Sequence, residues 1–163
     1  MKKKITTGFL LAALMVAISV TTAKAQSQMK YSDMVGENPN ADADITLVSN
    51  YLNTLLNEGD VDKATAMLTS NYKSNGPGTD DSSDLPKTIT TWKQNVITQQ
   101  NRKMEFVAET FNVKSGDQAG HWVSVWGTCS CTQDGKNLKF PIQYTAHVTN
   151  GKIDRNIVYY DQL

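Results

Sequence analysis

Two histidines and one late aspartate are the side chains of this sequence best suited to proton transfer. His121 and His147 lie in β-rich segments, and Asp161 lies near the C-terminus. Imidazole titrates near neutral pH, and either group can serve as a general base when it is correctly placed. The alternatives are a solvated or hydrogen-bonded histidine and an aspartate that caps the end of a sheet. If the protein is an enzyme, His147 and Asp161 are the catalytic candidates.

A second set of side chains is suited to lining a pocket. Tyrosine and tryptophan combine a large apolar body with a polar group that needs a partner when it is buried. A few such groups in an apolar cleft can orient a small ligand. For each residue, ordinary core packing is the alternative. The residues predicted to line a pocket, with the asparagine at its mouth, are Tyr51, Leu55, Tyr72, Asn75, Trp92, Tyr144 and Tyr159.

The two cysteines, Cys129 and Cys131, are separated by one residue. In a strand they point to the same side with Cα atoms about 6.5–7 Å apart, at the limit of disulfide geometry. Two buried thiols on one face are therefore expected, with a strained redox-active pair as the alternative. The cysteines and histidines lack the spacing of a zinc site, and no phosphate loop is present, so we expect no metal and no cofactor.

The first 25 residues have the layout of a secretory signal peptide. Lys2–Lys4 are basic, Ile5–Val20 are mostly apolar, and Ala23-Lys24-Ala25 is a small-residue cleavage site. The uninterrupted apolar part, Gly8–Val20, is shorter than the ~20 residues of a spanning helix. We predict cleavage after Ala25, export to the periplasm or the medium, and no membrane anchor after cleavage.

The charge balance argues against a nucleic-acid partner. The chain has 163 residues with 16 Lys and Arg and 16 Asp and Glu. Cleavage removes four lysines and no acids, which leaves 12 basic against 16 acidic residues and a net charge near −4. No basic run remains. The sequence predicts a signal peptide over residues 1–25, a flexible leader over 26–41, and one domain over 42–163.

Long strands must position these side chains. Residues 120–163 contain three strands joined by turns at Asp134-Gly135 and Asn150-Gly151, where two-residue hairpins need positive φ. A fourth strand is predicted over 103–113. Strands of ten or more residues exceed the usual ~3–10 and twist and bend, which gives the sheet a concave side.

Three helices precede these strands and are predicted to pack in the concave face. Apolar spacing predicts helices from Asp42 or Asp44 to 58, over 61–68, and from Ser83 or Asp84 to 100. A short extended segment is predicted over 71–75. Helices segregated from an antiparallel sheet define an α+β domain.

The strands carry large apolar groups on both faces. Trp122 and Trp126 alternate with Val123 and Val125, so the two pairs lie on opposite faces. A sheet that is covered on one side alternates apolar and polar residues instead. The second apolar face therefore predicts a homodimer through the outer side of the sheet.

The order of these features resembles the nuclear transport factor 2-like superfamily, which includes the SnoaL-like polyketide cyclases and the ketosteroid isomerases. The resemblance covers residues 42–163. It implies a cone of curved antiparallel sheet wrapped by three helices around a deep apolar pocket, and dimers through the outer face. The residues that carry it are Tyr51–Asp62, Tyr72, Gly127, Asp134-Gly135-Lys136, Asn150-Gly151-Lys152-Ile153 and Tyr159-Tyr160-Asp161.

The catalytic residues of that family do not carry over. The isomerases resemble one another in placing a general-base aspartate where this chain has Asn75, and an oxyanion-donating tyrosine near Tyr51. The isomerases and cyclases also place an aspartate on the strand over 138–150, which here contains no carboxylate. The acid–base pair that enolisation needs is therefore missing.

The sequence favours an exported domain that binds a small apolar or amphipathic ligand without turnover. One alternative is a SnoaL-like cyclase, isomerase or dehydratase that uses His147 or Asp161 with a tyrosine. The other is a structural or protein-interaction module that acts through the outer sheet face.

Overall fold

Seven strands form one curved sheet in the order β1-β4-β5-β6-β7-β2-β3. The structure is a computed structural model that describes residues 30–78 and 80–161. The predicted signal peptide and its cleavage site lie outside the described residues. The strands are β1 (Val35–Gly36), β2 (Leu68–Asn75), β3 (Ser82–Asp84), β4 (Gln99–Val113), β5 (Gly120–Gln133), β6 (Lys136–Thr149) and β7 (Lys152–Tyr160).

The helices begin and end at signals visible in the sequence. Asp60 and Asp84 cap two of them, accepting from the backbone N–H of Lys63 and Lys87 at 2.9 and 3.0 Å. Gly59, at φ 75°, ends the π-helical turn that extends the helix beginning at Ala41. None of the described helices has the length and hydropathy needed to cross a bilayer. The helices are α1 (Tyr31–Met34), α2 (Ala41–Leu52) with its π-helical extension Asn53–Glu58, α3 (Val61–Thr65) and α4 (Leu85–Thr98).

The four long strands pair in antiparallel fashion, as the sequence predicts. Both predicted hairpin turns have positive φ, at 50° and 73° for Asp134 and Gly135 and at 50° and 70° for Asn150 and Gly151. Strand β2 is longer than predicted and adds to β7 in parallel. It begins at Leu68, so α3 ends earlier than predicted, at Thr65.

The described part of the predicted leader is built into the domain. Val35 pairs with Val113 at the edge of β4. Asn38 is buried, and its Nδ2 donates to Asp44 Oδ2 at 2.8 Å and to Thr110 Oγ1 at 2.7 Å. The compact unit accordingly starts at Ser32 rather than at residue 42. The prediction of a flexible leader is therefore corrected for this stretch, which belongs to the folded domain.

The helices pack on the face of the sheet that carries Val123, Val125 and Tyr144, called here the concave face. The opposite, outer face carries Trp122 and Trp126. The backbones of β4 and β5 approach each other closely at Gly127. A Cβ added there would lie 2.0 Å from the carbonyl oxygen of Glu105, so only glycine fits.

Candidate functional site

A cavity of about 500 Å³ lies between α4, the loop after β2 and the concave face. The sheet provides most of its apolar floor, and α4 provides its opposite wall. This volume falls within the roughly 300–1,000 Å³ of small-molecule sites. The apolar lining residues are Leu56, Trp92, Cys129, Cys131, Phe140, Ile142, Val158 and Tyr160.

One wall of the cavity is polar because of the spacing of residues along α4. Lys87, Thr91 and Asn95 are four residues apart, which places them on one side of the helix, and Gln99 continues the row into β4. The cavity therefore has an apolar side on the sheet and a hydrogen-bonding side on the helix.

Arg102 lies where this wall ends and lines the cavity. Its Nη1 donates to the carbonyl oxygen of Val96 in the last turn of α4 at 3.1 Å and to that of Gln99, the residue after the helix, at 2.5 Å. Gly59 makes room for it, because a Cβ there would lie 2.2 Å from Arg102 Nη2. The guanidinium is thus held at the C-terminus of α4 and fits in the space beside Gly59.

Cys129 and Cys131 are free and buried on the concave face, as their spacing predicts. Burial raises the pKa of the Cys129 thiol to about 11, and the neighbouring Cys131 adds to the effect. The thiolate is the nucleophilic form, so at neutral pH Cys129 is a poor nucleophile. Its role in the cavity is that of a small apolar surface.

Three tyrosines form a buried cluster below the cavity. The rings of Tyr51 and Tyr144 stack with centroids 6.1 Å apart, and the Tyr72 hydroxyl donates to Asn156 Oδ1. Burial raises the pKa of Tyr51 and of Tyr144 well above the usual value, with the neighbouring Tyr72 as the next cause, and burial also raises the pKa of Tyr72. All three phenols therefore stay protonated at neutral pH and cannot act as general bases.

None of the three tyrosines lines the cavity, whereas Val158 and Leu56 do. Tyr144 pairs with Val158 across β6 and β7, and Val158 lines the cavity. The Tyr144 hydroxyl is buried without a hydrogen-bond partner in the described structure. The cluster therefore belongs to the core and not to the cavity lining.

The predicted pocket residues fall in three places. Trp92 lines the cavity. Leu55 and the three tyrosines lie in the core cluster instead. Asn75 pairs with Ile157, and Tyr159 pairs with Gln143. Asn75 and Tyr159 therefore lie on the outer face, which corrects their prediction as pocket residues.

Several lining residues were not singled out from the sequence, above all Lys87, Arg102 and Tyr160. For Phe140 and Ile142 the sequence did contain a signal. They are spaced two residues apart with Tyr144, so all three lie on the same face of the strand. Lys87 belongs to the four-residue row on α4, but no such pattern marks Arg102, which lies near the start of β4.

His147 lies on the outer face, away from the cavity. Its Nδ1 is 2.5 Å from Asp154 Oδ1, its Nε2 is 3.2 Å from the Ala119 carbonyl oxygen, and its ring meets Trp122 edge-on at 4.9 Å. Both ring nitrogens have partners and the residue is 8% exposed. The hydrogen-bonding alternative therefore describes His147 better than catalysis.

The other two proton-transfer candidates also lie outside the cavity. His121 Nδ1 is 3.2 Å from the buried carboxylate of Asp44 at the start of α2. Asp161 is exposed and follows the end of β7. Neither lines the cavity, and no cluster of three or more His, Cys, Asp or Glu side chains suited to a metal occurs within residues 30–78 and 80–161.

No protein-family model matches this sequence, and no curated protein is significantly similar to it. Solved structures do match. An LEH-like epoxide hydrolase of M. tuberculosis has a TM-score of 0.60 at 19% identity over 76% of this chain and 86% of that chain. The epoxide hydrolase/cyclase-like enzyme SalBIII, which acts in pyran ring formation in the polyether salinomycin, has a TM-score of 0.59 at 22% identity over 72% and 90%.

An NTF2-like protein of Burkholderia pseudomallei matches with a TM-score of 0.57 at 14% identity, over 73% of this chain and 91% of that chain. Identities this low carry information about the fold alone. Together with the curved α+β sheet and the helices on its concave face, they give one conclusion: the chain has the nuclear transport factor 2-like fold.

Proposed function

We propose that this domain binds a small apolar or amphipathic molecule in the cavity between α4 and the concave face. The observation that carries the proposal is the cavity of about 500 Å³ with an apolar floor and one polar wall. Burial of an apolar ligand surface supplies roughly 25 cal/mol per Å². The hydrogen-bonding groups of the wall then fix the ligand's orientation.

The lining supports binding without turnover. Asp81 is the one carboxylate among the described lining residues, and its Oδ2 accepts from the backbone N–H of Gly78 at 3.0 Å. No histidine lines the cavity in the described structure. General acid–base catalysis needs a donor and an acceptor within hydrogen-bond reach of one substrate.

The test is a titration with N-phenyl-1-naphthylamine, a neutral dye that fluoresces in apolar sites. We expect saturable binding to the wild type and at least ~10-fold weaker binding to Ile142→Glu, a change of about 1.4 kcal/mol, because a carboxylate then faces the apolar floor. Gln94→Glu is the control, since this residue of α4 is exposed, does not line the cavity and lies away from the outer face. Absence of dye binding, or equal binding by both variants, contradicts the proposal.

A second candidate function is a SnoaL-like cyclase, isomerase or hydrolase. The cyclase-like and epoxide hydrolase structures among the matches support it. In such an enzyme Asp81 would be the proton acceptor, because His147 and Asp161 lie outside the cavity. Turnover of epoxide or polyketide-like compounds that is lost in Asp81→Asn, with an unchanged circular dichroism spectrum, would favour the enzyme over the binding domain.

We also propose a homodimer through the outer face. Val107, Trp126 and Tyr159 lie in one cross-strand row there with Gln143, and are 55%, 44% and 55% exposed. Trp122, which the sequence placed beside Trp126 on the predicted dimer face, is buried and does not contribute to this surface. The loop between β4 and β5 covers it, and its Nε1 donates to the Gln118 carbonyl oxygen.

Sedimentation tests the dimer. We expect the wild type to be dimeric at about 100 μM and Trp126→Glu to give monomers or aggregates, because a carboxylate in an apolar interface is buried without a partner. Glu105→Gln, an exposed change on the same face, is the control and should leave dimers intact. A strictly monomeric wild type would argue against both the dimer and an interaction role of this face.

Export is the last part of the proposal, since the signal-like residues 1–25 support it. Mass spectrometry of the protein recovered from the envelope or medium is expected to give a chain that begins at Gln26. A chain that retains Met1 rules this out.

A further inference from the structure

The charges that line the cavity differ in sign from those of the domain as a whole. The lining includes Lys87, Arg102 and Lys103 but one carboxylate, Asp81. Residues 26–163, by contrast, carry 16 acidic against 12 basic side chains. A basic cleft with low-dielectric walls on an acidic surface attracts anions selectively.

The three cations are not equally available. Lys103 Nζ is held 2.6 Å from Glu105 Oε1, which neutralises it. Lys87 Nζ donates to the Ser82 carbonyl oxygen at 3.2 Å, in an exposed part of the rim. Arg102 has no carboxylate partner among the described residues, and the ion pairs found there involve other cations. Lys87 also lacks a carboxylate partner in the described structure but is exposed, so Arg102 is the more buried of the two unneutralised cations that line the cavity.

The hydrogen bonds of Arg102 are also incomplete. Its Nη1 contacts two carbonyls at the C-terminus of α4, where the helix dipole contributes only a partial negative charge. Its Nε is buried without a partner in the described structure. A guanidinium has five N–H donors in a fixed fork that matches a carboxylate. The hydrogen bonds from Nη1 to the helix end therefore leave other N–H donors of the guanidinium without acceptors within the described part of the chain.

Resting on the ligand-binding function proposed above, we propose that the ligand carries an anionic group such as a carboxylate on an apolar chain or ring, and that Arg102 binds that group. The apolar part lies on the floor formed by Phe140, Ile142 and Val158. Hydrogen bonds between a guanidinium and a carboxylate are charge-assisted and stronger than those of a neutral hydroxyl. Arg102 therefore selects acids over the corresponding alcohols.

The first experiment compares matched ligands on the full wild-type chain. Isothermal titration at neutral pH measures decanoate against decan-1-ol and 2-naphthoate against 2-naphthol, which separates chain-like from ring-like acids. We expect the acid to bind at least 10-fold more tightly than its neutral analogue in one pair or both. Equal affinity for acid and neutral compound in both pairs overturns the inference and leaves the proposed binding function standing. Absence of binding by all four compounds refutes the inference together with the proposed function.

The second experiment assigns the preference to Arg102. Arg102→Met is expected to remove the preference for the acid, and Arg102→Lys to retain part of it. Lys93→Met makes the same charge change at a cation that does not line the cavity, and should keep the full preference. A preference that persists in Arg102→Met contradicts the assignment.

If Arg102 only caps the helix, a bound acid should leave its Nε–H signal unchanged. Nuclear magnetic resonance can test this on the wild type, without any variant. In the wild type, the Arg102 Nε–H signal should shift when decanoate is added and stay in place with decan-1-ol. This measurement also decides the matter if Arg102→Met does not fold. An Nε–H signal that is insensitive to bound decanoate means that Arg102 serves the helix and not the ligand.

Discussion

Replacing Gly127 with valine is expected to destabilise the domain by about 3 kcal/mol, the upper end of the usual cost of overpacking. The added Cβ would lie 2.0 Å from the Glu105 carbonyl oxygen and 2.8 Å from Phe106 Cα. Both are backbone atoms of the paired strand, so no side-chain rotation relieves the clash. Urea unfolding monitored by circular dichroism measures the loss.

Two further variants show whether the close approach is the cause. Gly127→Ala should cost nearly as much as Gly127→Val, because the clash arises at Cβ itself. Thr128→Val, one residue on and on the outer face, is expected to change the free energy of unfolding by no more than about 0.5 kcal/mol. If Gly127→Ala is as stable as the wild type, the two strands do not approach each other as the structure describes.

Stability at high pH is expected to fall steeply, by up to about 4 kcal/mol per pH unit above pH ~10. Burial raises the pKa values of Tyr51, Tyr72 and Tyr144 in the folded state. Above pH ~10 the unfolded chain has lost these protons while the folded chain keeps them. The folded state thus binds more protons than the unfolded state. For each extra proton, the free energy of unfolding falls by about 1.4 kcal/mol for every unit by which the pH rises.

Urea titrations at a series of pH values measure this slope, and the tyrosinate absorbance should rise together with unfolding. Tyr144→Phe should reduce the slope by about one third with little change at neutral pH, because the Tyr144 hydroxyl has no partner. Tyr72→Phe should reduce it similarly but cost about 1–3 kcal/mol at neutral pH, because it leaves Asn156 unpaired. Slopes equal to that of the wild type in both variants would contradict burial of the phenols.

Local signals in the sequence predict most of the elements. The Asp-Gly and Asn-Gly turns, the capping residues Asp60 and Asp84, and the apolar spacing of α2 act within a few residues, so they are visible in one chain. The parallel pairing of β2 with β7 and the edge strand β1 depend on distant partners. No local pattern in this sequence marks them.

The candidate site was harder to predict because of one irregularity in β7. Strict alternation places Ile153 and Tyr159 on the same face. The pairing of β6 with β7 shifts between His147 and Val148, so Ile153 is buried while Tyr159 lies on the outer face. A one-residue slip exchanges the faces of every residue that follows. Tyr160 therefore takes the place in the cavity that alternation assigns to Tyr159.

Strand β7 lies inside the sheet, between β6 and β2, although it follows all the other described strands in sequence. During synthesis, β2 and β6 leave the ribosome before β7, the strand that pairs with both of them, has been made. Until Lys152–Tyr160 emerges, both strands present open edges and the concave layer cannot close. Pairing of such distant segments is also slow. The sheet therefore cannot reach its full strand order until Lys152–Tyr160 has emerged, and folding of this domain waits for that segment.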